Sequence, residues 1–183
     1  MSKLKETEYT YLSAFINITR EISSSLELQE VLDQIVKSTC ETTGSKGCAL
    51  MLLDEAGQRL EVKSSYGLSD QYIKKGPLSA DRSIFDTLKG KPVIIEDATS
   101  DPRVQYPQEA KREGIASIVS LPIILRKKVI GVLRLYTSIP CRFAQDDIDF
   151  LCAIAMQSGL AIGNANTYEH ARMDCEKQVV SAL

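Results

Sequence analysis

At 183 residues the chain has room for one sizeable hydrophobic core and not for two. Its content of 44% apolar and 25% charged residues is that of an ordinary globular protein. A formal net charge of −2 and a pI near 5.5 argue against nucleic acid or an anionic membrane as the main partner, because both select a basic surplus. No run approaches the roughly 20 apolar residues of a membrane span, and the start MSKLKETEY lacks the apolar core of a signal peptide. A cytoplasmic protein is expected. The five cysteines, Cys40, Cys48, Cys141, Cys152 and Cys175, are widely spaced with no C-x-x-C pair, so neither zinc nor dithiol chemistry is indicated.

Along the chain the hydrophobic period changes several times. Residues 9–23 carry Leu12, Phe15, Ile16, Thr19 and Ile22 at helical spacing. A serine triplet interrupts them, and Ser24 with Glu27 reads as a capping box for a second helix. That helix shows Leu28, Val31, Leu32, Ile35 and Val36 on one face and stops near Gly44. Strands are predicted over 48–53 and 59–66, joined by a turn at 54–57. The stretch 67–90 is broken at Gly76 and Pro77 and carries a short helix near 83–88. A third strand covers 92–96 and a helix 106–113. Residues 117–137 then hold two β-branched runs around a basic turn, Arg126–Lys128, which can only be an antiparallel hairpin near the middle of a sheet.

A last helix starts near Gln145. One stripe reads Ile148, Cys152, Ala155, Gly159 and Ile162; another reads Leu151, Ile154, Ser158, Ala161 and Ala165. A surface helix needs one apolar stripe, and this one has two. Either it is sunk in its own core, or one stripe meets a second subunit; we expect a homodimer through this helix and the N-terminal one. Beyond Asn164 the sequence turns polar while staying helix-compatible, as a connector does.

The apparatus of catalysis is not visible. His170 is the only histidine and falls on the polar part of the last helix, so no Ser-His-Asp or Cys-His set can be assembled. Neither phosphate-loop pattern occurs. Asp97 and Asp101, close to Pro102, read as turn formers.

The segment PVIIEDATSDPR, the amphipathic stretch ending at Gly114, the central hairpin, RFAQDDIDFL and the long helix, in that order, resemble the GAF domain family, a sensory module of signalling proteins. The resemblance spans residues 26–168, leaving 1–25 as an N-terminal helix or connector and 169–183 as a C-terminal helical connector. It implies an α/β (α+β type) fold: a central antiparallel sheet of five or six strands, terminal helices packed on one face and a ligand cavity on the other. Cyclic-nucleotide-binding members carry an Asn-Lys…Phe…Asp-Glu signature; Phe143, Asp146 and Asp147 resemble its end, but no Asn-Lys precedes them. Acids in a first helical turn have a simpler use. Bilin, haem and methionine-sulfoxide chemistry need cysteine or histidine in the pocket, and residues 49–140 contain neither. No cofactor and no metal are expected.

What the resemblance leaves is a cavity roofed by segments 67–90 and 98–114. Strand alternation nominates its floor. Ile130, Val132, Arg134 and Tyr136 share one face; Val129, Gly131, Leu133 and Leu135 share the other, which is uniformly apolar or small and suits helices. Arg134 would favour an anionic ligand, unless it pairs with a local acid or points to solvent. Tyr66, Ser83, Asp97 and Ser117 are nominated because they border the same space. Two functions follow as expectations. One is a regulatory module that binds a small molecule non-covalently and signals through its terminal helices to an effector, such as a histidine kinase, cyclase or transcription activator. The other is a dimerisation module with no physiological ligand.

Overall fold

The computed structural model describes residues 3–22, 25, 27–79 and 84–181, of which 3–10, 21, 170 and 174–181 as backbone. In chain order the elements are α1 (Lys3–Ile22), α2 (Leu28–Thr43), β1 (Gly47–Leu53), β2 (Arg59–Tyr66), α3 (Asp70–Ile73) and β3 (Leu78–Ser79). Then follow α4 (Phe85–Leu88), β4 (Val93–Ile95), α5 (Pro107–Glu113), β5 (Ser117–Leu125), β6 (Lys128–Thr137) and α6 (Gln145–Ser181). The strands form one six-stranded sheet in the order β3-β2-β1-β6-β5-β4, antiparallel throughout. That is the expected architecture. Two small elements, α3 and β3, lie in the stretch where only a short helix was foreseen.

Local chemistry accounts for the breaks. α2 ends where Gly44 takes φ 61° and its turn returns amides to the carbonyls of Cys40 and Glu41. Its start differs from the expected capping box. Glu27 is the N-cap and caps nothing with its side chain; instead the Ser25 hydroxyl accepts from the Glu27 amide and donates to Glu30. Ser24 lies outside the described residues. Between β5 and β6 the turn is two residues long, with Arg126 at φ 48° and Lys127 at φ 67°. Close above it the ladder slips by one: Ile123 faces Gly131, whereas Ile124 faces Val129. Ile130 is the extra residue of a bulge.

The sheet separates two cores. On one face α1, α2 and α6 cover Leu50, Val119, Leu121, Leu133 and Leu135. On the other, α3, α4 and the loops between strands cover Met51, Leu60, Ile95, Ile118, Val132 and Tyr136. Leu133 and Leu135 therefore point as expected, under the helices. Ile130 does not share the face of Val132: the bulge turns it to the helix-side core.

Both stripes of α6 belong to its own domain. Ile148, Leu151, Ile154, Ala155, Ser158, Ala161, Ile162 and Ala165 are all buried. The small residues serve close approach to β5: a Cβ on Gly159 would lie 2.3 Å from the Ile124 carbonyl oxygen. Neither stripe is thus free for a second subunit. A window of α6 within Gln145–Met173 reaches a mean hydropathy of 1.3, long and apolar enough to cross a bilayer, although no such run was expected. With 56% of that window buried inside the domain, it reads as the core helix.

Candidate functional site

Arg134 stands on β6 between Val132 and Tyr136 and is only 3% exposed. Its neighbours across the ladder are Ser120 on β5 and Ala49 on β1. The face is the one opposite the helices, as alternation required. No carboxylate pairs with the guanidinium among the described residues, and its Nε has no hydrogen-bond partner. Ser120 Oγ and Thr87 Oγ1, the latter on α4, which packs over β5 and β6, are buried and unpartnered as well. The guanidinium Nε and two hydroxyls, all buried and without a hydrogen-bond partner, thus lie on one side of the sheet. Buried polar groups almost always find partners, because leaving them without one costs roughly 1–3 kcal/mol each.

Aromatic side chains surround this point. The Arg134 guanidinium lies 5.8 Å from the centroid of the Tyr136 ring, and Tyr72 of α3 meets Tyr136 edge-on at 5.7 Å. Lys75 Nζ sits 3.6 Å over the Tyr72 ring and donates to the Tyr72 carbonyl at 2.9 Å. Burial, and then the charge of Arg134, lower the Lys75 ammonium to about 8. Burial pushes the Tyr72 phenol up. Two cations therefore share this side of the sheet, and an anion between them would relieve both. Lys75 also lines a cavity of about 290 Å³ walled by Met51, Leu60, Val62, Gly76 and Leu78. Arg134 does not line that cavity.

The other nominated residues separate into those near this point and those elsewhere. Val132 and Tyr136 flank Arg134 and are fully buried. Ile130 lies on the opposite face. The Ser117 hydroxyl donates to the Glu96 carbonyl at 2.7 Å and accepts from the Cys141 amide at 3.0 Å, so it ties β5 to the loops beside it. Asp97 is exposed and closes its own turn, accepting from the Thr99 amide and hydroxyl and the Ser100 hydroxyl. Those bonds hold its carboxyl down to about 2. Tyr66 is 39% exposed and donates to Glu41. Ser83 lies outside the described residues, as do the side chains of His170 and Cys175. Asp147 accepts from the Ala144 amide at the start of α6 and from the Tyr11 hydroxyl, which it holds up at about 12; Phe143 packs on the helix-side core. These contacts are those of a helix start.

Comparison with known proteins agrees with this architecture. The GAF domain family matches residues 27–162, well over half of the chain. The chain belongs to the GAF domain family. Its fold resembles the GAF domain of an Acinetobacter phosphoenolpyruvate-protein phosphotransferase, with TM-score 0.74, 24% identity, and 93% of this chain and 99% of that one covered. The GAF domain from a Coxiella burnetii phosphoenolpyruvate-protein phosphotransferase (ptsP) gives TM-score 0.79 at 20% identity, covering 88% of this chain and 98% of that one. A curated relative from Escherichia coli (strain K12), "Phosphoenolpyruvate-dependent phosphotransferase system", is 23% identical over 148 residues. That match takes 80% of this chain and 20% of the relative, so this GAF domain spans about a fifth of the protein it matches. GAF domains are regulatory parts of signalling proteins, phosphotransferase enzymes and chemotaxis proteins among them.

Sequence reading missed Lys75, Tyr72, Thr87 and Ser120. Ser120 had a usable signal, since it is the one hydroxyl inside the apolar run 118–125. Thr87 and Lys75 had none: Thr87 stands beside Asp86 in the four-residue α4, and Lys75 follows Lys74 just past α3, so neither is set apart by its context.

Proposed function

We propose that this GAF domain is a cytoplasmic regulatory module that binds a small anionic molecule non-covalently beside Arg134. The observation that carries the reading is the guanidinium itself, 3% exposed with an unpartnered Nε. A charge desolvated without a counter-ion is costly, and a ligand carboxylate or phosphate oxygen would offset that cost. Ser120 and Thr87 would donate to further ligand oxygens, and Lys75 would close the site from the α3 side. Strand β6 carries Arg134 and leads directly into the segment before α6, so occupancy of the site can bias how α6 and α1 meet. The output would pass along α6 to an effector domain or partner.

The test is native mass spectrometry of the chain purified from cells, in gentle and then denaturing conditions. A small molecule retained in the first and released in the second is expected. Arg134→Ala should weaken its binding by roughly 1.5–3 kcal/mol, the worth of a hydrogen bond to a charged group. The second reading, a GAF-like dimerisation module with no physiological ligand, is favoured by the closure of the structure over Arg134 and predicts that nothing is retained.

A further inference from the structure

We propose that the junction of α1, α2 and α6 holds a second ligand site, a pocket for a small organic ammonium ion with an aromatic body. It lies on the helix side of the sheet, on the face opposite Arg134, and does not depend on the anion reading. A cavity of about 320 Å³ opens there, where β6 passes into α6. Small-molecule sites span roughly 300–1,000 Å³, so this one suits a small amine better than a nucleotide. Three aromatic rings line it: Tyr11 of α1, Phe143 just before α6, and Phe150 within α6. Tyr11 stacks on Phe150 at 4.6 Å.

Charge decides the sign of the occupant. α2 meets the cavity with its C-terminal end, through Thr42 and Thr43. The last four carbonyls of a helix have no partner within it. Those of Cys40 and Glu41 accept from the Ser45 and Gly44 amides, which leaves the carbonyls of Thr42 and Thr43. No basic residue in the last turn of α2 offsets the negative pole of the helix. Asp147 adds a carboxylate to the wall. It accepts from the Tyr11 hydroxyl and the Ala144 amide, has capacity for a further donor, and forms no ion pair among the described residues. Lys46 also lines the cavity, but its ammonium is held at 3.5 Å by Glu113, which does not. An anion here would face the negative end of a helix and an unpaired carboxylate. An ammonium ion would meet acceptors and aromatic faces. Because Tyr11 joins α1 to α6 by both its ring and its hydroxyl, an occupant would also fix how the two helices meet.

The test titrates the full chain with phenethylamine, 2-phenylethanol and phenylacetate in a calorimeter at neutral pH. The amine should bind about ten-fold or more tighter than the alcohol, and the carboxylate not at all. Cys141 lines the cavity and reports the place: saturating amine should slow its labelling by N-ethylmaleimide several-fold and leave Cys152 unchanged, read cysteine by cysteine in a mass spectrometer. Asp147→Asn should weaken the amine about ten-fold and erase its advantage over the alcohol. Thr42 is exposed at the end of α2, where a lysine suits the helix. Thr42→Lys should therefore stay folded, set a rival ammonium at the cavity and abolish binding of the amine. Thermal melts confirm that both variants are folded. No binding of the amine up to about 10 mM, alcohol or carboxylate bound as tightly, labelling of Cys141 unaffected, or a Thr42→Lys chain that binds the amine as the native one does would each overturn the proposal.

Discussion

The two faces of this sheet obey different rules. On the helix side, Ile35, Leu50, Leu121, Leu133 and Ile154 are fully buried. Buried hydroxyls there bond back to their own helices: that of Ser158 returns to the Ile154 carbonyl at 2.8 Å and that of Thr39 to the Ile35 carbonyl at 2.6 Å. On the loop side an equally buried core contains Arg134, Ser120 and Thr87 with unpartnered atoms. One face is built for stability. The other leaves buried polar atoms without partners, and under the proposed function that difference is what marks the candidate site.

The contrast breaks most visibly under substitution on the helix side. Leu133→Ala should cost about 2–5 kcal/mol in urea denaturation, through lost burial and a residual cavity. Gly159→Ala should also destabilise, although alanine favours helix by about 1 kcal/mol. The new methyl would lie 2.3 Å from a backbone oxygen of β5, which cannot move as a side chain can. On the loop side the sign should differ. Arg134→Met removes a desolvated charge and keeps an unbranched side chain of similar reach. Without ligand it should be neutral or stabilising by up to about 2 kcal/mol in the same assay. A loss as large as that of Leu133→Ala would mean that the guanidinium is structurally satisfied.

How much of this was legible beforehand depends on the regularity of each segment. The helices and long strands were, because each sustains its period for two turns or more. Arg134, Val132 and Tyr136 were placed on the correct face by alternation alone. Ile130 was not, and the reason is local: from a two-residue turn, unbroken pairing would set Ser120 opposite Leu133, whereas the bulge at Ile130 sets it opposite Arg134. A bulge adds one residue without leaving a pattern that alternation can detect. The same slip hid the proximity of Ser120 to the guanidinium. α6 failed differently. Two apolar stripes were seen correctly, but one helix can be covered by α1, α2 and β5 of its own chain, and stripe counting does not reveal what covers it.

A smaller effect should come from the hairpin tip. Lys127 at φ 67° occupies a position that costs a non-glycine residue about 1 kcal/mol or more. Lys127→Gly should therefore raise the melting temperature slightly, read in a thermal melt beside the native chain.

The smallest effect is the most specific to the loop face. Lys75 titrates near 8 in the folded chain, against an ordinary 10.5, because burial and the nearby Arg134 disfavour its charged form. Between those two pH values the unfolded chain holds more protons than the folded one at this residue, so its contribution to stability rises with pH across that window. Below about 8 both states are protonated and the slope vanishes. Cys40, Cys48 and Cys152, whose thiols burial pushes up, act in the opposite direction above pH 9. The native profile alone is therefore a poor readout. The difference between native protein and Lys75→Gln isolates the lysine, because the thiols are common to both. That difference should favour the native chain progressively from pH 8 toward pH 10. An anion held between Lys75 and Arg134 should reverse it, because the ligand favours the protonated amine and binds less tightly as pH rises past 8. Arg134→Met should shrink the native-minus-Lys75→Gln slope, since it removes the second cause of the depressed lysine. A slope unchanged by Arg134→Met would leave burial as its whole origin and would separate the two cations that the site requires to act together.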